Sequence, residues 1–319
     1  MKTIDFHTAL RRLLNAEDVL ILTHASPDGD TLGSGYALFR GLLLLGKRVK
    51  LLNNDPIPEK FRFLSRGLEN GSFEERYIIS VDVADKTLLG AALEESYGER
   101  VDLSIDHHGS NRLFAKETYV ESDSASAGEI VYLLLLSLGL EFSTEMADCL
   151  YTAVSTDTGC FRYSNVTART HRIAADLMER GADHTRIDVQ MFETKDMSFL
   201  RLQQKCLEAL ELYFGGRVSV LCVTRALLDE TGCADENLDD IVALSRQIAG
   251  VQIGVTFKEK KDGAFKVSVR THEGIDAAQI CARFGGGGHK RAAGCQFACS
   301  KEEALRQMLP VLEDALLDV

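Results

Sequence analysis

The sequence predicts an α/β protein: an N-terminal parallel sheet with helices on both faces, a linker helix, and a smaller C-terminal α/β domain. Three observations predict it. Short apolar runs alternate with helical stretches through the first half of the chain, the pattern of strands joined by crossover helices. Three of those runs end in aspartate or histidine, as strands do when their carboxyl ends share a ligand-binding edge. A further set of strand and helix signals begins after Gly215-Gly216, so the tail has elements enough for its own core.

In order, residues 5–15 read as an amphipathic helix. Val19-Leu20-Ile21-Leu22 is a buried strand that passes through Thr23-His24-Ala25-Ser26-Pro27-Asp28-Gly29-Asp30 into a helix. Val49-Lys50-Leu51-Leu52 and Tyr77-Ile78-Ile79-Ser80-Val81 are the next strands, the second ending in Asp82. A helix is expected within 86–96, then a strand at 101–105 that ends in Asp106-His107-His108. Helices follow at 127–138, 145–156 and 168–180, and a helical stretch over 195–214 leads to the paired glycines. The tail reads as a strand at 217–223, helices near 224–231 and 238–248, and a hairpin of 251–258 with 264–271. A helix at 275–283, a glycine-rich loop and a last helix at 301–317 complete it. The expected domains are 1–190, a helical linker at 191–215, and 216–319.

Composition narrows the function. Lys plus Arg is 36 against 48 for Asp plus Glu, a net charge of −12, which argues against long-range attraction to long duplex DNA. A short anionic substrate held by a local patch and by metal ions remains compatible with that charge. The eight cysteines form no C-x-x-C pair, and most sit in apolar patterns, as reduced thiols do. The amino terminus lacks the apolar core of a signal peptide, and the longest apolar run, 130–136, is too short to span a bilayer. A cytoplasmic protein with no membrane partner is expected.

Chemistry concentrates at the strand ends. His24, Asp28 and Asp30 crowd the turn after the first apolar run. One Asp could cap the following helix, but capping uses one residue and leaves two ionisable groups idle. A divalent cation uses all three, and the imidazole shifts the preference from Mg²⁺ toward Mn²⁺, Co²⁺ or Zn²⁺. Asp82, the Asp106-His107-His108 triplet and Asp157 add candidates at other element ends, and Arg162 follows Asp157 closely enough to meet an anion. In the tail, Gly285-Gly286-Gly287-Gly288 runs into His289, Lys290 and Arg291 and could bring backbone N–H groups to an anion. Its spacing is that of neither a Walker A loop nor a dinucleotide fold. Arg270, at the end of the hairpin, is a plausible partner.

Taken together, these motifs resemble the DHH–DHHA1 phosphoesterases, within them the NrnA-type enzymes that act as oligoribonucleases and as phosphatases of pAp (adenosine 3′,5′-bisphosphate). The resemblance covers nearly the whole chain. One stretch departs from it: Ser126-Ala127-Gly128 lacks the second hydroxyl residue the family pattern carries after the serine.

The resemblance implies two Mn²⁺ ions, with Co²⁺ or Mg²⁺ as substitutes. His24, Asp28 and Asp82 would hold one ion, and Asp30, Asp82, His107 and Asp157 the other, with Asp82 bridging and a shared water as nucleophile. His108 would contact the scissile phosphate, Asp106 would orient a histidine, and Arg162 would steady the phosphoryl oxygens. Arg270, Gly286, Gly287, Gly288 and His289 would hold the far end of the substrate. Expected substrates are short oligoribonucleotides, dinucleotides or pAp, and a homodimer is allowed. Two alternatives stand: another hydrolase of the superfamily, such as a pyrophosphatase or a cyclic- or linear-dinucleotide phosphodiesterase, or a non-catalytic nucleotide or RNA sensor.

Overall fold

The apolar runs of the first half are strands of one sheet. In the computed structural model, which describes residues 2–234 and 238–317, these are β1 (Lys2–Thr3), β2 (Val19–Leu22), β3 (Val49–Leu52), β4 (Tyr77–Val81), β5 (Leu103–Asp106) and β6 (Glu117–Val120). They pair in the order β1-β6-β5-β4-β2-β3 through parallel ladders. The unbroken apolar character of β2 has a simple cause. Val19 and Ile21 pack into one core with Leu32, Phe39 and Leu150, whereas Leu20 and Leu22 pack into another with Ile78, Leu89 and Val101. A strand buried on both faces cannot alternate apolar with polar residues. The helices Phe6–Asn15, Gly29–Leu44, Ala127–Ser137 and Thr144–Asp157 contribute to the first core, and the segment from Lys86 to Tyr97 covers the second.

Several expectations change in detail. The helix expected over 86–96 is broken by Gly90, whose φ is 84°, into a 3₁₀ turn Lys86–Leu89 and a helix Ala91–Tyr97. The edge strand β1 and its neighbour β6 were not foreseen, the first because it is two residues long and the second because Glu117 and Thr118 break an apolar run. The short helix His184–Asp188 was also unforeseen.

The chain divides into two compact units, one ending at Thr194 and the other beginning at Lys195. The second contains β7 (Glu211–Tyr213), β8 (Val218–Val223), β9 (Ile253–Glu259), β10 (Phe265–Thr271), β11 (Gly287–His289) and β12 (Ala292–Phe297), ordered β11-β12-β10-β9-β8-β7. Here the ladders are antiparallel except between β8 and β9. The helix expected over 195–214 is the shorter Met197–Glu208. It packs Phe199, Leu202 and Cys206 against Leu221 and Val223 of the second unit, and β7 takes the residues that follow. The glycine-rich stretch is no loose loop, because Gly287–His289 is an edge strand paired with β12.

The first unit depends on close approach of the helix Gly29–Leu44 to the helices Thr144–Asp157 and Ala127–Ser137. A Cβ at Gly33 would lie 2.4 Å from the Cys149 carbonyl oxygen, and one at Gly41 would lie 2.3 Å from Leu135 Cδ2. The distances are similar, but a backbone carbonyl cannot rotate away and a leucine methyl can. Gly33→Ala is expected to destabilise by ~1–3 kcal/mol, as overpacking does. Gly41→Ala is expected to cost much less, because a helix gains about 1 kcal/mol when Ala replaces Gly. Thermal melts of the two variants check this; equal losses would refute the backbone-clash account.

Candidate metal centre

Each residue of the centre is delivered by the end of an element. After β2 the chain turns sharply, with Ser26 at φ 52°. That turn is held from β3's side: Asn53 Nδ2 donates to Thr23 Oγ1 at 2.8 Å and to the His24 carbonyl at 2.6 Å, and Ser26 N–H donates to Asp55 Oδ2 at 2.7 Å. Asp28 caps the next helix, accepting from the N–H groups of Asp30 and Thr31. The capping account is therefore correct for Asp28, and it leaves His24 and Asp30 unexplained.

Asp30 is 1% exposed. Its oxygens accept from the N–H groups of Ala127 at 2.7 Å and Gly128 at 2.9 Å, the first turn of another helix, and from Ser34 Oγ at 3.0 Å. Asp82 follows β4 with φ 60°, a left-handed conformation that costs a non-glycine residue about 1 kcal/mol or more. Asp106 closes β5, and Asp157 is the last residue of Thr144–Asp157.

These ends converge. His24 Nε2 lies 3.5 Å from Asp28 Oδ1 and 3.6 Å from Asp82 Oδ2. His107 Nε2 lies 3.7 Å from Asp30 Oδ2, 3.6 Å from Asp82 Oδ1 and 3.7 Å from Asp157 Oδ2. The two oxygens of Asp82 thus face two different imidazoles. His24, Asp28 and Asp82 form one group that could hold a metal ion, and Asp30, His107 and Asp157 form another.

The hydrogen bonds behind the rings test whether a cation fits. His24 Nδ1 lies 2.8 Å from the Ala25 carbonyl and His107 Nδ1 lies 3.2 Å from the Ser124 carbonyl. A carbonyl only accepts, so each Nδ1 carries a proton, and in the neutral ring each Nε2 turns its lone pair toward carboxylate oxygens. Lone pairs facing anions repel unless a positive charge lies between them. The separations of 3.5–3.7 Å exceed a direct N–H···O bond. They match donors that share one ion, since bonds of about 2.1 Å place neighbouring ligands roughly 3–3.6 Å apart. Asp82 Oδ1 is also a buried oxygen with no hydrogen-bond partner among the described residues. The residues fit a pair of cations.

His108 is different. Its Nδ1 lies 2.8 Å from Asp106 Oδ1 and 3.5 Å from Asp82 Oδ1. Asp82, His107 and His108 also sit close enough to hold an ion. The proton that Nδ1 gives to Asp106 removes that atom as a ligand, and Nε2 points away from Asp106. Asp106 is fully buried and also accepts from His107 N–H and from Asn111 Nδ2.

Electrostatics agree. Burial, followed by repulsion from Asp82 and Asp157, pushes the Asp30 carboxyl well above its usual range. Burial and then Asp82 and Asp28 do the same to Asp157. Burial opposes a charge on His24, but Asp28 and Asp82 outweigh it and push its pKa up to about 11, so without an ion Nε2 holds a proton in the place a cation would take. The acids of the cluster resist ionising together and its bases attract positive charge, which is the demand a divalent ion meets.

A family model described as the DHH family, N-terminal domain, matches residues 18–154, and one described as the DHHA1 domain matches 216–317. A Thermus thermophilus protein named bifunctional oligoribonuclease and PAP phosphatase NrnA is 32% identical over 304 residues, covering 93% of this chain and 90% of the relative. The chain belongs to the DHH family. It is a phosphate-ester hydrolase with a DHHA1 domain as its second part. A Bacillus subtilis relative of the same name is 25% identical over 294 residues, covering 90% of this chain and 92% of the relative. The fold matches the crystal structure of an exopolyphosphatase-related protein from Bacteroides fragilis, with TM-score 0.86, 23% identity, and coverage of 98% and 95%.

The remaining expected residues of this DHH protein are carried by other elements. Arg162 is exposed; its Nε donates to the Gly159 carbonyl at 2.6 Å and its guanidinium lies 5.9 Å from the Phe192 ring centre. Arg270 lies on β10 opposite Ala292, and His289 pairs with Ala292 from the other side, so both positions share one row across β12. The His289 side chain lies outside the described residues. Gly286 and Gly288 have a packing reason to be glycine: a Cβ would lie 2.1 Å from the Gly294 carbonyl at the first and 2.6 Å from the Ala292 carbonyl at the second. Gly287 has open space around it.

Asn53, Asn111, Asn165 and the backbone of segment 124–128 were missed. Asn in a turn-rich stretch gives no signal apart from its turn propensity, and backbone atoms give none. The Ser126 hydroxyl caps the helix Ala127–Ser137, and the residues after it serve through N–H groups rather than hydroxyls.

Among the described residues no helix is long and apolar enough to cross a membrane. Because Asp157 is held where ionisation is opposed, Asp157→Asn should raise the melting temperature of chelator-treated protein. The same variant should show a smaller rise than the parent when Mn²⁺ is added, because one ligand is gone. Scanning fluorimetry with and without metal checks both. A variant less stable than the parent in chelator would refute the crowding argument.

Proposed function

We propose that this hydrolase cleaves short oligoribonucleotides to nucleoside 5′-monophosphates and converts pAp to AMP, using two divalent ions, with Mn²⁺ preferred. The observation that carries the two-ion reading is Asp82, whose oxygens face His24 and His107 from a buried position. His24, Asp28 and Asp82 would hold one ion; Asp30, Asp82, His107 and Asp157 the other. The substrate reading is supported by relatives named for both activities that align over about nine-tenths of each chain.

When bound, such a pair of ions polarises the phosphoryl oxygens and makes water nucleophilic at neutral pH. The chain's own residues do the rest. Burial opposes a charge on His108, but Asp106 and Asp82 outweigh it and raise its pKa. This favours its charged form, with Nδ1–H on Asp106 and Nε2 as the atom that would donate to a phosphoryl oxygen as charge develops there. Asp106 fixes that orientation and is itself fixed by Asn111. Arg162 would steady the phosphate, and Arg270, Gly286, Gly287, Gly288 and His289 would recognise the nucleotide end. A mixed imidazole and carboxylate set suits Mn²⁺ better than Mg²⁺, which favours oxygen ligands and keeps its waters.

The test is a substrate panel with Mn²⁺: pAp, a 5′-phosphorylated diribonucleotide, pyrophosphate, cyclic di-AMP and long single-stranded DNA. Turnover should be highest on the first two, and preference for any other substrate would overturn the assignment. Asp82→Ala should abolish turnover in a protein whose circular dichroism is unchanged; near-normal activity there would end the two-ion reading.

Gly287→Val and Arg270→Ala separate binding from chemistry. Each should raise KM for pAp about tenfold, the effect of losing roughly 1.4 kcal/mol of binding. A generic aryl phosphodiester lacks the nucleotide groups and should be hydrolysed as by the parent. Equal losses on both would mean that these residues do not recognise the nucleotide.

A further inference from the structure

Segment 124–128 carries no ionisable residue, yet it connects to each member of the Asp30–His107–Asp157 group. The Ser124 carbonyl accepts from His107 Nδ1, and the N–H groups of Ala127 and Gly128 donate to Asp30. The Ala125 carbonyl accepts from Asn165 Nδ2 at 2.9 Å, and the same amide donates to the Asp157 carbonyl at 3.1 Å. The other group has separate supports, with Asn53 and Asp55 holding the His24 turn and Asp28 seated on its own helix.

One side chain braces this segment. Arg169 lies in the first turn of the helix Ala168–Glu179. Its Nη2 donates to Ser124 Oγ at 2.7 Å, its Nη1 to Glu121 Oε1 at 2.6 Å, and its Nε to Glu129 Oε2 at 3.0 Å. Glu129 is fully buried, and its Oε2 also accepts from Ala125 N–H at 3.3 Å. Glu121 is steadied in turn by the Tyr119 hydroxyl at 2.8 Å. A single planar guanidinium thus grips residues on both sides of the segment and one within it. A lysine ammonium, as a point charge on a flexible stem, cannot hold those three directions together.

We propose that Arg169 is a positioning residue that orders one half of the metal centre, Asp30, His107 and Asp157, through segment 124–128, and so sets the affinity of that half separately from the half formed by His24 and Asp28. This rests on the two-ion reading and goes beyond it by assigning unequal affinities to a named residue outside the ligand set. Groups behind metal ligands change metal affinity by about 10–100-fold when altered.

The experiment is Mn²⁺ titration of metal-free protein by isothermal titration calorimetry, with melting temperature in chelator measured beside it. The parent should show two classes of site, and Asp157→Asn identifies the second class by losing it. Arg169→Lys, which keeps a positive charge opposite buried Glu129, should weaken that class about 10–100-fold and leave the other unchanged. Its kcat at fixed low Mn²⁺ should fall while KM for pAp holds, and saturating Mn²⁺ should restore kcat. Ser124→Ala, a milder change, should weaken the same class by less; it carries the test if Arg169→Lys does not fold. Equal weakening of both classes, or a lower melting temperature with both affinities intact, would make Arg169 a brace of the fold and overturn the proposal. A parent that binds one ion would overturn the two-ion reading itself, and that result is read before any variant is made.

Discussion

The buried carboxylate of Asp82 is the constraint around which the first unit is built. It sits in a left-handed backbone conformation, 3% exposed, with one oxygen that no described group of the chain satisfies. Each of these conditions costs free energy, about 1–3 kcal/mol apiece, and none is needed to hold the sheet together. An arrangement this unfavourable survives only where surrounding structure imposes it. Parallel pairing imposes it here, because β2, β4 and β5 end at one edge and each delivers its ionisable residue to the same few ångströms. The like charges then need something positive among them, and the fold provides imidazoles whose Nε2 atoms already point inward.

That inward orientation is set by main-chain atoms. The Ala25 and Ser124 carbonyls each take the Nδ1 proton of a histidine, so the choice of tautomer is made by turns rather than by other side chains. His108 follows the opposite rule. Its Nδ1 proton goes to a buried carboxylate, and an anion behind a ring favours the cationic form of that ring. Two adjacent histidines with the same intrinsic chemistry are thereby assigned different tasks: a carbonyl behind His107 turns its Nε2 toward the acids as a ligand atom, and a carboxylate behind His108 leaves a donor. Neither role depends on the histidine itself.

This explains which parts of the centre were legible in the sequence. His24, Asp28, Asp30, Asp82, His107 and Asp157 could be read because their residue types are unusual at strand and helix ends, and a sheet whose strands run parallel must gather those ends. The buried strands were equally legible, since a run such as Val19-Leu20-Ile21-Leu22 has few other uses. What stayed hidden has a common physical character. Carbonyls 25 and 124 and the N–H groups of 127 and 128 belong to the backbone, which every residue possesses. Arg169 sits on an amphipathic helix where an arginine is ordinary, and its partners are 40–48 residues away in sequence. The strand β6 was hidden because its identity comes from its neighbours β1 and β5, whereas its own four residues are half polar.

The glycines of the second unit have two kinds of physical reason to be glycine, and only one of them involves a ligand. A run of four suggests backbone left bare for an anion, and the register shows a competing cause. Gly286 and Gly288 lie so close to the carbonyls of Gly294 and Ala292 that any larger residue would push β11 off β12. Those positions would be glycine whether or not a phosphate ever came near. Gly287 has no such neighbour, so packing leaves its identity unexplained. Gly285 needs glycine for its left-handed φ of 70°, so the case for recognition by this strand narrows from four residues to one, together with Arg270 in the shared row across β12.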